Sequence, residues 1–496
     1  MNEMKKHNIY ISLLFASLIL SGCNDWLDVS PKTEIRETTL FSDEEGYRDA
    51  VSGVYILLGQ TSLYGLNASM YVPEFLAHTW TIPTESADAV AYYLSLNDYG
   101  NSDVEDCIDG LWSSYYNVIA QINNILENIE ESDVTFSDNQ KDMITGEMYG
   151  LRAFLHLDLL RLFGPVPDEA GESETCIPYV TEMTTDVALL KSTSYSEVKA
   201  AILSDLDKAE QLLLDSDPYV TNAEAGDDGD DSEVDLTENE IYRQLHFNYW
   251  AVLGTKARYY YWIGDDENAA QYALKVIDAT DSYGQQIFTL CDEAYYSANS
   301  NANLTMKMEH LFGAYNSSLY DEVTSEYFTC SDPLLSQLEE YVATGFESSL
   351  FPDDIRNKGT RYWGTSIDDN TSSSSYHFYK YSLKGSAYGM YTVPLLRLSE
   401  MYFIVFECET IDNMLPYFSV WRLARGLDSS LDNTLTTTSA VLSRLEKEWR
   451  KEFFGEGQMF YFYKKHNYSS FSWPTSYEVP TGGYVVEKPQ SQTDYE

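Results

Sequence analysis

Residues 253–277 read LGTKARYYYWIGDDENAAQYALKVI, and their spacing decides the fold class. Leu253, Ala257 and Tyr260 recur at helical intervals, Gly264-Asp265 supplies a tight turn, and Ala270, Leu274 and Ile277 resume the period beyond it. Small and aromatic residues placed around such a turn follow the tetratricopeptide pattern, with about one extra residue in the second helix. The same periodicity runs through 106–129 (Leu111, Trp112, Tyr115, Ile119, Ile122, Ile125, Leu126, Ile129) and through 143–163, where Gly164-Pro165 stops it. Phe41-Ser42-Asp43-Glu44-Glu45 opens an earlier helix, with Ser42 as the expected cap. Further helices are predicted over 194–214, 240–263, 266–279, 391–409, 414–425 and 438–454. The expectation is a mainly α chain, a tetratricopeptide-like scaffold of helical pairs with long irregular loop regions.

Two stretches lack helical periodicity, 61–101 and 280–390, and loops of that length in a compact protein are usually functional. The chain has 41 Tyr, 21 Phe and 9 Trp, more rings than a helical core needs, and rings give amphipathic contact area with few rotors to freeze. The candidate ligand-binding residues are therefore Trp80, Tyr92 and Tyr93 from the first stretch and Tyr295, Tyr296 and Trp363 from the second. Trp80 and Trp363 are the sharper choices, since each is flanked by small or polar residues (Thr79 and Thr81; Gly364 and Thr365). The plainer alternative is that these rings fill loop cores, and it applies most to Tyr93 and Tyr295.

The N-terminus reads as a processed leader. Lys5 and Lys6 precede an apolar run from Ile9 to Leu20, followed by Ser21-Gly22-Cys23, the pattern of a bacterial lipoprotein whose cysteine is acylated. Residues 1–22 are expected to be removed, 23–40 to form a lipid-anchored tether, and 41–496 to form a single domain. Acyl chains on Cys23 would anchor it without a spanning helix, because no later stretch reaches ~18 uninterrupted apolar residues. Cys107, Cys176, Cys291, Cys330 and Cys408 are odd in number and scattered, which argues against a disulfide framework or a zinc site. A formal charge of -48 excludes a nucleic-acid partner, since two polyanions repel.

Catalytic and metal patterns fail. There is no GxSxG, no Walker glycine-lysine loop and no HExxH. Ser196-Glu197-Val198-Lys199 lacks the partners an SxxK enzyme needs, so Ser194 or Ser196 is expected to cap a helix. Glu74 and His78 read as a surface pair, and Glu448 and Glu452 as solvated neighbours on one helix. The acidic run from Gly226 to Asp231 lacks the glycine spacing of a calcium loop. No enzyme activity, metal or cofactor is expected.

Three segments carry a resemblance: Gly150 to Pro167 (GLRAFLHLDLLRLFGPVP), Val393 to Tyr402 (VPLLRLSEMY) and Leu445 to Tyr463 (LEKEWRKEFFGEGQMFYFY). With the lipoprotein start and Trp112-Ser113-Ser114-Tyr115-Tyr116, they resemble the SusD/RagB family over nearly the whole mature chain. The resemblance implies an outward-facing outer-membrane lipoprotein acting as lid to a SusC-like TonB-dependent barrel. It implies binding of oligosaccharide, or alternatively of peptide or another non-glycan ligand. The segment Met414 to Gly426 departs from the family's usual repeat helix, which leaves the cargo open. Within the motifs, Arg152, Arg161, Arg397 and Glu400 fall on apolar helices, where charges persist only if paired.

Overall fold

The computed structural model describes residues 37–496 apart from 168, 170, 185, 187–189, 228–239, 299–303, 360, 369–370, 383–390 and 495. The leader, Cys23, most of the tether and most of the acidic run lie outside the described residues.

Helix α1 (Glu44–Leu58) begins one residue later than expected: the Asp43 carboxylate accepts the Gly46 N–H, while Ser42 donates backwards to Thr39. Two short helices follow, α2 (Val72–Leu76) and α3 (Ala89–Ser95), then the long α4 (Ser102–Glu130) and α5 (Gln140–Phe163). Helix α6 (Tyr195–Ser216) starts with a capping box in which Ser194 and Glu197 satisfy each other's backbone N–H groups, as the cap reading of that serine anticipates. The pair α7 (Tyr249–Ile263) and α8 (Asp266–Ile277) turns at Gly264, held at φ +79°, where a side chain would be strained. The predicted start at 240 is too early, because Asn248 caps α7 by accepting the Ala251 N–H.

The second irregular stretch holds strands that periodicity does not reveal. β1 (His310–Tyr315) pairs antiparallel with β4 (Thr392–Arg397), and β2 (Trp363–Asp368) with β3 (Thr371–Phe378). The predicted helix over 391–409 is thus a buried strand followed by α9 (Leu398–Cys408); its apolar run reads the same in either conformation. The chain continues through α10 (Ile411–Ala424), α11 (Thr438–Glu452) and α12 (Gln458–Lys465). Helix α5 packs on α6, α7 on α8, α8 on α9 and α9 on α10, a succession of helical pairs. Close approach at α5 requires Gly150, since a Cβ there would lie 2.6 Å from the Phe247 ring.

The motif charges are paired inside this scaffold. Arg152 makes two hydrogen bonds to Asp205 and one to Asn123, Arg161 meets Asp158 and Gln458, and Arg258 holds Glu400 through two nitrogens. Glu448 and Glu452 are not solvated. They are 1% and 2% exposed, and Glu452 lies between Arg397, Arg425 and Arg356 at 2.9, 2.8 and 3.2 Å. Glu309 links the same two arginines, Arg397 and Arg425, and Glu456 adds a further carboxylate to Arg397. Against the opposing effect of burial, Arg444, Lys451 and Arg356 hold the Glu448 carboxyl well below the usual range, and Arg425, Arg397 and Arg356 do the same for Glu452. Glu74 and His78 are likewise no surface pair. Both are buried: Glu74 accepts the Gly457 N–H and the Thr79 hydroxyl, and His78 Nε2 meets the Ser95 carbonyl at 2.7 Å.

Candidate functional site

The first irregular stretch is less loop-like than its sequence implies. Residues 63–80 are almost wholly buried, and only beyond Trp80 does the chain surface. The stretch is tied to the second one by backbone and side chain: the Thr81 N–H donates to Ser336, the Gln337 amide donates to the Thr79 carbonyl, and the Thr81 hydroxyl donates to the Gln337 side-chain oxygen. The two stretches form one module.

Its interior is aromatic. Trp80 is fully buried, donates its indole N–H to the Met70 carbonyl at 2.8 Å, and meets Phe328, Phe378 and Phe454 at centroid distances of 5.7, 5.6 and 4.9 Å. Trp363, 1% exposed, meets Phe378 at 4.6 Å and Phe454 at 5.1 Å. The two tryptophans expected at the surface are therefore the centre of a ring cluster that locks both stretches onto the Phe454 segment. Their small neighbours admit other elements rather than ligand. A Cβ at Gly364, for instance, would lie 2.9 Å from the Tyr379 hydroxyl.

The predicted tyrosines divide. Tyr296 is buried, its hydroxyl 2.6 Å from that of Tyr362 and its ring under the Arg361 guanidinium at 4.2 Å. Tyr295, half-buried, meets the Tyr296 ring at 5.2 Å. Tyr92 and Tyr93, on α3, are half-buried and lie edge to face at 5.2 Å, and Tyr93 donates to Glu85 at 2.7 Å. Asp88 caps α3 through the Ala91 N–H and also accepts the Tyr71 hydroxyl at 2.7 Å. Burial and this carboxylate together raise the pKa of Tyr71, of Tyr327 and of Cys107, the last to about 11. Tyr327, from the second stretch, thus lies within electrostatic range of Asp88 of the first.

Two half-buried rings were not anticipated individually, Tyr327 and Tyr376. Tyr376 stacks on Trp363 at 5.9 Å with an interplanar angle of 11°, so the buried indole presents a tyrosine outward. Its signal in the sequence is its place at the end of the serine run 372–375. Tyr92 and Tyr93 form a half-buried aromatic surface on α3, with Glu85 and Asp88 beside them, and Tyr327 and Tyr376 are half-buried rings of the second stretch. Such a surface can stack on an apolar face and accept hydrogen bonds from hydroxyl groups.

The larger concavities lie elsewhere. One of about 890 Å³ is bounded by Phe41, Tyr47 and residues 127–134, and one of about 750 Å³ by Tyr99, Glu105, Asp109, Glu174 and Lys488. Neither contains a predicted aromatic residue. Among the described residues no group of three or more His, Cys, Asp and Glu is placed to hold a metal ion, and no helix is long and apolar enough to cross a membrane. Cys107, Cys176, Cys291, Cys330 and Cys408 are all free thiols.

Residues 25–224 match a SusD-like family model described as starch-binding and associating with the outer membrane. A SusD-like protein of Formosa agariphila is 26% identical over 228 residues, covering 42% of this chain and 38% of that protein. Another from the same organism is 23% identical over 215 residues, covering 43% and 39%. The chain thus spans about two-fifths of the length of the curated relatives it matches. The fold is shared with a SusD superfamily protein of Bacteroides thetaiotaomicron at a TM-score of 0.67 and 19% identity, over 91% of this chain and 97% of that one. A SusD-like carbohydrate binding protein of Bacteroides vulgatus superposes at 0.64 with 17% identity, over 91% and 96%.

Proposed function

We propose that this SusD-like chain is a cell-surface binding protein that captures oligosaccharide and delivers it to a SusC-like TonB-dependent barrel, held at the outer membrane by acylation of Cys23. The observation that carries the reading is the match of residues 25–224 to a family described as starch-binding and associating with the outer membrane. The half-buried tyrosines where the two irregular stretches meet are consistent with it: a pyranose offers a C–H face to a ring and hydroxyl groups to Asp88 and Glu85. In this reading the protein binds its ligand and does not transform it. The same platform would suit a peptide with aromatic or hydroxylated side chains, which is the second reading.

A panel of glycans and peptides, titrated calorimetrically against the purified protein, separates the two. Saturable binding to an oligosaccharide, weakened in Tyr92→Ala and Tyr327→Ala, is the expected result. Binding to peptides alone replaces the ligand, and binding to neither removes the proposal. Extraction of the native membrane in mild detergent tests delivery: a barrel transporter is expected to co-purify, and recovery of monomer alone under conditions that keep comparable complexes intact overturns that part.

A further inference from the structure

A concavity of about 890 Å³ lies where α4 ends and α1 begins, apart from the aromatic platform. Phe41, Tyr47 and Val134 give it an apolar floor: the rings of Phe41 and Tyr47 are 4.9 Å apart, and the Tyr47 hydroxyl is engaged by the Asn128 carbonyl at 2.9 Å. Glu127, Glu130, Glu131 and Asp133 form its rim, all four exposed, and no Lys or Arg is among the residues lining it. The rim coincides with the C-terminal end of α4, a helix of 29 residues with no basic residue in its last turn. The negative end of the helix dipole thus adds to four carboxylates, an arrangement that repels itself unless a cation joins it.

The chain itself supplies cations next to this groove. The described residues begin with a short helix, Glu37–Leu40, that leads straight into Phe41 on the floor. Immediately before it the tether reads VSPKTEIR, from Val29 to Arg36. Lys32 and Arg36 stand nine and five residues before Phe41 with Ile35 between them, and with Glu34 as the single acid the segment is net cationic. At up to roughly 3.5 Å per residue, both cations can reach the rim. A tethered segment also meets the groove at an effective concentration on the order of millimolar, so modest contacts hold it where a separate peptide would first have to offset the entropy of association.

We infer that residues 29–36 of the tether dock in this groove, with Ile35 on the Phe41 floor and Lys32 and Arg36 against Glu130, Glu131 and Asp133. Six residues then separate the docked segment from Cys23, a span of roughly 20 Å at most. With Cys23 acylated, as proposed above, the end of α4 is the part of the domain held toward the membrane. That consequence rests on the acylation reading; the docking does not.

The test uses the chain from residue 23 with Cys23→Ala, so that neither acylation nor glycan enters the result and failure here leaves both of those readings standing. Carbodiimide joins an amine to a carboxylate only in direct contact, and Lys32 is the one side-chain amine of the segment. Peptide mass spectrometry is expected to find Lys32 joined to Glu130, Glu131 or Asp133 of the same molecule. Trypsin reads the same contact from the other side, since it cuts after Lys32 and Arg36. Both cuts are expected to be about tenfold faster in Glu130→Gln/Glu131→Gln/Asp133→Asn, at unchanged Tm and with cuts elsewhere keeping their rates. If the substituted chain fails to fold, the cross-link in the chain with its rim intact decides. Mixing light and isotopically heavy chains identifies the occupant, because a cross-link between light and heavy peptides would place a second copy in the groove. That result, the absence of any Lys32 cross-link to the three carboxylates, or tryptic rates that do not change overturns the inference.

Discussion

Glu74 accepts the backbone N–H of Gly457 at 2.6 Å, a contact that joins the first irregular stretch to the turn ahead of α12 across 383 residues. The turn needs glycine: Gly457 has φ +74°, and a Cβ would lie 2.5 Å from the Ser69 carbonyl oxygen. Burial pushes the Glu74 carboxyl up to about 7, with the Thr79 and Gly457 hydrogen bonds and Lys380 opposing it.

That shift sets a pH dependence. The folded protein retains a proton on Glu74 that the unfolded chain releases above about 4.5. The associated stability is therefore fully present below that pH and lost as pH rises through about 7, on the order of 3 kcal/mol. Glu74→Gln is expected to flatten the decline of Tm between about pH 5 and pH 7, measured by calorimetry. An unchanged slope would assign the decline to other groups.

Removing one carboxylate from the buried ionic cluster leaves cations without a partner. Glu452→Ala strips Arg397, Arg425 and Arg356 of a shared acceptor, and a loss of about 3–5 kcal/mol is expected in urea unfolding. A change below about 1 kcal/mol would mean that Glu309 and Glu456 neutralise the cluster without it.

The aromatic module separates stability from recognition. Trp80→Ala and Trp363→Ala are expected to cost about 3–5 kcal/mol of stability. Tyr92→Ala and Tyr93→Ala should leave Tm nearly unchanged while weakening ligand binding by about 1–3 kcal/mol. Affinity that survives in both tyrosine variants would move the ligand site away from α3.

Cys23→Ala tests the anchor. Acyl chains would supply nearly all membrane affinity for a chain of charge -48, so this variant is expected in the soluble fraction after Triton X-114 partition. Retention in the detergent phase would refute the anchor.

Much of the scaffold was legible because helices with one apolar face write their period into the sequence, as α4 and α8 do. The pairing of Arg152, Arg161, Arg397 and Glu400 was legible too, since a buried apolar segment cannot carry a lone charge, although Arg397 ends the strand β4 rather than lying on a helix. Where both faces are buried the period disappears, and Val393-Pro394-Leu395-Leu396 merged with the helix that follows it. Glu448 and Glu452 misled because a partner they share, Arg356, lies 92 and 96 residues away in the second irregular stretch. Trp80 and Trp363 misled because small flanking residues mark close packing as readily as exposure. Tyr92 and Tyr93 lie half-buried on α3 where the reading placed them in the first stretch, whereas Tyr327 had nothing in the surrounding Asp321 to Ser331 segment to set it apart.

The last turn of α12 governs when the chain can close. Lys464 is buried and donates to the carbonyls of Leu162 and Gly164, at 3.0 and 2.7 Å, where α5 ends. Gln458 receives Arg161, and Glu456 receives Arg397. Each of these is a partner that a growing polypeptide lacks until nearly its whole length has been made. A chain halted before residue 456 would leave Arg161 and Arg397 each short of one acceptor and the carbonyls at the end of α5 without Lys464, so its interior would stay incompletely paired. Synthesis and folding are in this way ordered in time: the first half waits, incompletely paired, for the last forty residues or so to complete it.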